Sequence, residues 1–213
     1  MNRSKKDSVL KEYAKLAPRY DLRWDSYIRS SVKRTLARLP IREGERLLDV
    51  GCGTGQLLQA LQTRPCNAEL MGVDTTSEML DVARSRLAKS TPLTVGQAEQ
   101  LPFESASFDW LVSASVFHHI RKPGEALREF RRVLKPSGHL VITDWCHDYF
   151  ACKILDVFLR AFNPSHFRTY TTRQCEVLLR ESAFESIASE RYRISFFWGL
   201  MTVWAEPSRK NET

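Results

Sequence analysis

Apolar and polar positions alternate with two different periods along this chain. Over residues 8–39 apolar side chains return every three or four residues: Leu10, Tyr13, Leu16 and Ala17, Tyr20, Trp24, Ile28, Val32, Leu36 and Leu39. That spacing predicts helices with one face turned to a core. Pro18, which lacks a backbone donor, predicts two helices there in place of one. From Leu47 the period shortens. Apolar runs predict strands at 46–50, 69–73, 93–95, 108–113 and 139–143, with helices at 54–63, 77–88, 124–134 and 148–162. Pro136-Ser137-Gly138 reads as a stop ahead of the fifth strand, and Pro164 as the end of the helix after it. Thr171-Thr172 can cap a further helix over 173–182. Glu185 to Ile194 and Ser195 to Ala205 predict two final strands, and Glu206 to Thr213 a polar, disordered tail. Short strands alternating with amphipathic helices imply a parallel sheet covered on both faces.

The most informative stretch is Leu47-Leu48-Asp49-Val50-Gly51-Cys52-Gly53-Thr54-Gly55. An apolar strand ends in an acid and then a turn with glycine at alternate positions, followed by a helix. Such a turn lets backbone N–H groups approach a polar or anionic ligand. Leu70-Met71-Gly72-Val73-Asp74 follows as a second strand ending in a carboxylate, at the separation of a ribose-binding acid. A dinucleotide fingerprint, G-x-G-x-x-G, would need glycine where Gln56 stands. This chain has G-x-G-x-G, which argues against a nicotinamide oxidoreductase.

That motif and its preceding acid resemble motif I of the class I S-adenosylmethionine-dependent methyltransferases. The resemblance extends through Gly72-Val73-Asp74, the stretch from Gly96-Gln97-Ala98-Glu99 to Phe103, Ser107-Phe108-Asp109-Trp110, and Val116-Phe117-His118-His119-Ile120. Covering roughly residues 45 to 145, it is nearest to the branch of the ubiquinone- and menaquinone-biosynthesis enzymes. It implies a three-layer α/β, Rossmann-like fold. The seven-strand sheet would be mostly parallel with an antiparallel last strand, with helices on both faces. It also implies S-adenosylmethionine as cofactor and one domain over 1–213. Residues 1–44 would form a helical lid, 45–145 the cofactor core, 146–205 the substrate wall and final strands, and 206–213 the tail.

Site residues follow from the resemblance position by position. Gly51, Cys52, Gly53 and Gly55 would pass close to the methionyl part of the cofactor, with Asp49 fixing the turn and meeting the ammonium. Asp74 would accept from both ribose hydroxyls, although it could also cap the helix beginning near Ser77. Thr75 and Met79 would line the same pocket, Met79 against the adenine. Where the family shows Gly-Asp-Ala, this chain has Gly96-Gln97-Ala98. The Gln97 amide oxygen can accept from the adenine amino group without charge, or Glu99 can substitute, and Ala98 would meet a ring nitrogen. Ser113 and His118 would complete the cofactor contacts. Ala17-Pro18-Arg19-Tyr20-Asp21 is similar to the A-x-x-Y-D element of the family's lid, which would aim Tyr20 at the sulfonium; packing against the core explains Tyr20 equally well.

Methyl transfer is an in-line displacement that needs alignment, exclusion of water and, for a protonated acceptor, a base. Candidates are His118, His119, Asp144 and His147. Asp144 is preferred, with His147 as its orienting or proton-accepting partner, although Asp144 could equally cap the following helix. The aromatic segment Asp144 to Phe150, with Asn163 to Tyr170 and its His166, Arg168 and Tyr170, fits the wall around a small, apolar or aromatic acceptor.

Composition narrows the alternatives. The 213 residues suffice for one domain with a real core, at 43% hydrophobic and 27% charged. No apolar run is long enough for a membrane span. The charged N-terminus has no signal-peptide core, and five cysteines without C-x-x-C pairs point to reduced thiols in a cytoplasmic protein. Cys146, His147 and Cys152 lack zinc spacing, so no metal is expected. The net charge of +7 resides in Met1 to Arg46, the remainder being balanced. This excess reads as a solvated face or, alternatively, as an RNA- or protein-binding arm. The absence of N/D-P-P-Y/F after the fourth strand, where Ser113-Ala114-Ser115-Val116 stands, speaks against a nucleic-acid substrate. A protein that binds the cofactor without catalysis is the remaining alternative.

Overall fold

The computed structural model describes residues 13–162, 166–195 and 198–208. Leu10 and the other positions of 1–12, Pro164 and the rest of 163–165, residues 196–197 and the tail 209–213 lie outside the described residues. The strands are β1 Arg46–Val50, β2 Glu69–Asp74, β3 Leu93–Val95, β4 Phe108–Ala114, β5 Leu134–Trp145, β6 Phe184–Arg193 and β7 Gly199–Pro207. The helices are α1 Tyr20–Leu36, α2 Gln56–Gln62, α3 Ser77–Arg86, α4 Pro123–Val133, α5 Phe150–Phe162 and α6 Thr172–Glu181. The seven strands form one sheet in the order β3-β2-β1-β4-β5-β7-β6. β1 to β5 pair in parallel, and β7 runs antiparallel to both β5 and β6. This is the expected class: mostly parallel, with an antiparallel final strand.

Alternation along each strand builds the two cores. Leu48, Leu111, Leu140 and Ile142 face one side, where Leu127 and Phe130 of α4 and Leu179 of α6 cover them. Leu47, Trp110, Val112 and Val141 face the other, under Leu57, Leu58 and Leu61 of α2 and Leu80 and Ala83 of α3. Val32 and Leu36 of α1 pack against this second core. Because both faces are covered, the central strands carry apolar residues on both faces, with Asp49, Ser113, Thr143 and Asp144 buried among them.

Some boundaries differ from expectation. Pro136-Ser137-Gly138 does not precede the fifth strand but lies inside β5, which begins at Leu134. The register jumps from Phe108↔Leu134 to Trp110↔His139, so the extra residues form a bulge, where a proline without a donor breaks no ladder bond. Glu206 and Pro207 belong to β7 and not to the tail. Pro18 interrupts the N-terminal helical region as a 3-10 turn, Ala17–Arg19, after helical residues 13–16. Thr171 caps α6 through a reciprocal pair with Gln174.

α1 is anchored by polar contacts in an apolar setting. Thr35 Oγ1 donates to Thr143 Oγ1 at 2.9 Å, which in turn meets Thr202 Oγ1 at 3.0 Å, joining α1 to β5 and β7. The Arg38 guanidinium lies 4.3 Å over the Trp204 ring and pairs with Glu190.

Candidate functional site

The strand order reverses between β1 and β4, and a cavity of about 230 Å³ opens beyond the carboxyl ends there. Its floor is the glycine turn. Gly51 adopts φ +76°, and a Cβ on it would sit 2.3 Å from a Val116 methyl. Gly53 adopts φ +52°, and its missing Cβ would face open space, leaving backbone within reach of a ligand. Its N–H donates to Asp74 Oδ2 at 2.9 Å, while Thr76 N–H donates to Asp74 Oδ1 at the same distance. Thr75 N–H and the Thr76 hydroxyl also bond to the Asp74 carboxylate, which still lines the cavity. The N-cap of α3 is Thr76 and not Asp74.

Asp49 is only 2% exposed. Among the described residues none donates a hydrogen bond to its side chain, and burial, with the Asp74 charge adding to it, pushes its pKa up to about 8. A carboxyl group held this way asks for a cation. Tyr20, deep in the same wall, is pushed up to about 12 by burial and by the charges of Asp74, Asp21 and Asp144. The cavity is therefore an acid-lined pocket that gains most from a cationic ligand.

Of the sequence-predicted cofactor residues, Tyr20, Asp49, Gly51, Cys52, Gly53, Asp74, Thr75, Met79, Gln97 and Ala98 line the cavity together. Gly55, Ser113 and His118 do not. Gly55 supplies the left-handed N-cap of α2 at φ +78°, and Ser113 is wholly buried in β4, so the cavity meets Ala114 and Ser115 instead.

The expected base pair Asp144 and His147 is not a pair, and neither residue lines the cavity. Asp144 is 2% exposed and takes the His118 Nδ1 contact at 2.6 Å and the backbone N–H groups of His118 and Trp145. His118 is likewise buried and stacks on Trp145, ring centroids 4.9 Å apart. His147 Nδ1 lies 2.7 Å from Thr169 Oγ1. Of the adjacent histidines it is His119 that reaches the cavity, with its Nε2 2.7 Å from the Tyr13 hydroxyl. The 3-10 turn Phe117–His119 leaves the two rings in contact, centroids 3.9 Å apart, and periodicity cannot tell which of them enters the cavity.

Sequence reasoning missed other wall residues. Tyr13 and Tyr27 line the cavity on either side of the expected Tyr20, at seven-residue intervals that mark one helical face without marking what it faces. Tyr27 holds Ser115 Oγ and Trp145 Nε1 at 2.7 Å each. Asp21 accepts from Thr54 Oγ1 at 2.7 Å and pairs with Arg86 of α3, so the N-terminal helix is latched to the glycine turn. Phe167 also lines the cavity, and no sequence signal identified it.

A doubly wound sheet with a glycine turn at its switch point, a strand-end carboxylate and a buried acid without a cation partner defines a binder of a cationic, ribose-bearing cofactor. A model of the methyltransferase domain family matches residues 48–142. The demethylmenaquinone methyltransferase of Thermotoga maritima is 32% identical over 165 residues, covering 71% of this chain and 72% of that protein. That of Symbiobacterium thermophilum is 33% identical over 152 residues, covering 64% of this chain but only 59% of its own length. In fold, the putative methyltransferase that Haloferax volcanii forms in complex with the Trm112 activator superposes with a TM-score of 0.85 at 20% identity, over 97% of this chain and 100% of that one. The chain belongs to the class I S-adenosylmethionine-dependent methyltransferases, in the ubiquinone/menaquinone-biosynthesis-like branch. Its cofactor is S-adenosylmethionine, whose sulfonium and ammonium suit a cavity lined by buried carboxyl groups.

Proposed function

We propose that this enzyme methylates a small, largely apolar acceptor with an aromatic ring bearing a hydroxyl, of the hydroquinone or phenol kind. The observation that carries the reading is the composition of the cavity wall away from the glycine turn. Tyr20, Tyr27, Ile28, Val32, Ile120 and Phe167 supply apolar and aromatic surface, and His119 adds an imidazole. The demethylmenaquinone methyltransferases among its relatives act, by their names, on a substrate of this class.

In this reading Asp74 accepts from the ribose hydroxyls, Asp49 meets the ammonium, and Gly51, Cys52 and Gly53 present backbone to the methionyl part. Gln97, Ala98, Thr75 and Met79 hold the adenine end, and Tyr20 stands over the sulfonium. When bound, S-adenosylmethionine supplies a methyl group already activated for displacement. The protein aligns the acceptor, keeps water out and removes one proton. His119 takes that proton at Nε2, relayed by the Tyr13 hydroxyl hydrogen-bonded to it. The buried His118–Asp144 pair holds the turn that carries His119. RNA and protein substrates, and cofactor binding without catalysis, have no comparable support in the cavity.

Release of S-adenosylhomocysteine in the presence of short-chain naphthohydroquinones tests the acceptor class. His119→Gln should lower kcat by about 100-fold, with cofactor affinity within about twofold. Turnover on amines but on no phenol or hydroquinone would overturn the acceptor, and a full rate in His119→Gln would overturn the base.

A further inference from the structure

Helix α5 is built inside out. Its inward face mixes half-buried Leu155 and Leu159 with a buried acid and thiol: Asp156 is 1% exposed and Cys152 fully buried. Its outer face is apolar, with Phe150 75%, Ile154 58%, Val157 67% and Phe158 56% exposed. These positions follow helical spacing, so the exposed residues form one stripe along about 12 Å of helix. A surface helix ordinarily shows the reverse, and an apolar stripe this continuous marks a contact.

The charge beside the stripe indicates what the contact is. Lys153 and Arg160 are exposed on α5, and Asp156, the helix's only acid, is buried, with Arg160 Nη1 reaching its Oδ2 at 3.6 Å. The Arg193 guanidinium sits 5.3 Å from the ring of Tyr149, the residue before Phe150. No helix of the described residues is long and apolar enough to cross a membrane. A second copy of the chain packed face to face would set these cations against their equivalents. An anionic lipid surface accepts both parts, the apolar stripe below the headgroups and the cations among the phosphates.

We propose that α5 is an interfacial helix that docks the enzyme on an anionic lipid bilayer. The placement has a consequence for the cavity. Asp156 Oδ1 accepts from Thr169 N–H and meets His166 Nε2, each at 2.8 Å, so the segment 166–169 is braced on α5. Phe167 of that segment lines the cavity. Adsorption through α5 therefore brings the cavity wall beside the apolar phase, where an acceptor with a long hydrocarbon tail resides. The docking stands on the helix itself; this consequence rests on the acceptor class proposed above.

Co-sedimentation of the full chain with vesicles tests it, using phosphatidylcholine alone and phosphatidylcholine with phosphatidylglycerol. Binding should require phosphatidylglycerol and weaken with salt. Ile154→Glu combined with Val157→Glu should reduce it at least about tenfold, and Lys153→Gln or Arg160→Gln about fivefold each. Cofactor affinity, read by calorimetry, should stay at the wild-type value in every variant, which certifies the fold. Failure of the wild type to sediment with anionic vesicles, or binding that survives the double Glu variant, would overturn the proposal. So would a dimer in vesicle-free solution that the double Glu variant dissociates, because a second copy would then cover the stripe. Vesicle binding by an enzyme that methylates no hydroquinone would leave the docking standing and refute only the acceptor class.

Discussion

If Asp49 meets the cofactor's ammonium, as proposed, its buried carboxyl group makes cofactor binding a proton-releasing event. With its pKa pushed up to about 8 by burial, and by the Asp74 charge, it is mostly protonated in the free enzyme at neutral pH. A cation placed against it stabilises the ionised form, so the ligand must displace the proton. If the bound form ionises well below pH 6, affinity gains about 50-fold between pH 6 and pH 8, or about 2.3 kcal/mol. The cofactor's own amino group titrates near about 8, and Asp49→Asn in the same buffers subtracts that contribution. Calorimetry in buffers of different ionisation enthalpy should detect about 0.9 proton released per ligand at pH 7 by the wild type in excess of the Asn variant. Stability runs the other way. A carboxyl group whose pKa rises on folding contributes its full stabilisation below the unfolded value of about 3.9 and loses it as pH climbs through the folded value. The unliganded wild type should therefore lose Tm relative to Asp49→Asn as pH rises from 5 towards 9. Identical pH profiles of affinity for the two proteins would refute the contact between Asp49 and the cofactor's cation.

Two further perturbations probe the same site. Asp74→Ala removes the acceptor for Gly53 and Thr76 N–H as well as for the ribose, and should weaken S-adenosylmethionine by about 1.5–3 kcal/mol in a folded protein; calorimetry showing unchanged affinity would rule the assignment out. Asp21→Ala cuts the latch from α1 to Thr54 and Arg86, a contact about one quarter exposed at Asp21, and should cost about 2 kcal/mol of stability. A double-mutant cycle with Arg86→Gln should return a clear coupling, and a coupling near zero would show that the two residues act independently.

The sequence determined the frame of the cofactor site. Glycine at 51 and 53 is needed because the turn adopts positive φ, and Asp49 and Asp74 end strands whose register follows from strict alternation into two cores. Those requirements are local, so they are written in adjacent residues. The helical face of the N-terminal segment was equally legible in the three- and four-residue spacing of its apolar positions from Tyr13 to Leu36. Tertiary structure alone decided which side chains meet. Asp144 and His118 are 26 residues apart and satisfy each other only because β5 and the turn after β4 lie side by side, which turns His119 and not His118 into the cavity. Phe167 enters from beyond α5, and the outward apolar stripe of α5 is indistinguishable by periodicity from an inward one. A pattern of spacing fixes a face, and only the packing of elements distant in sequence fixes what that face touches.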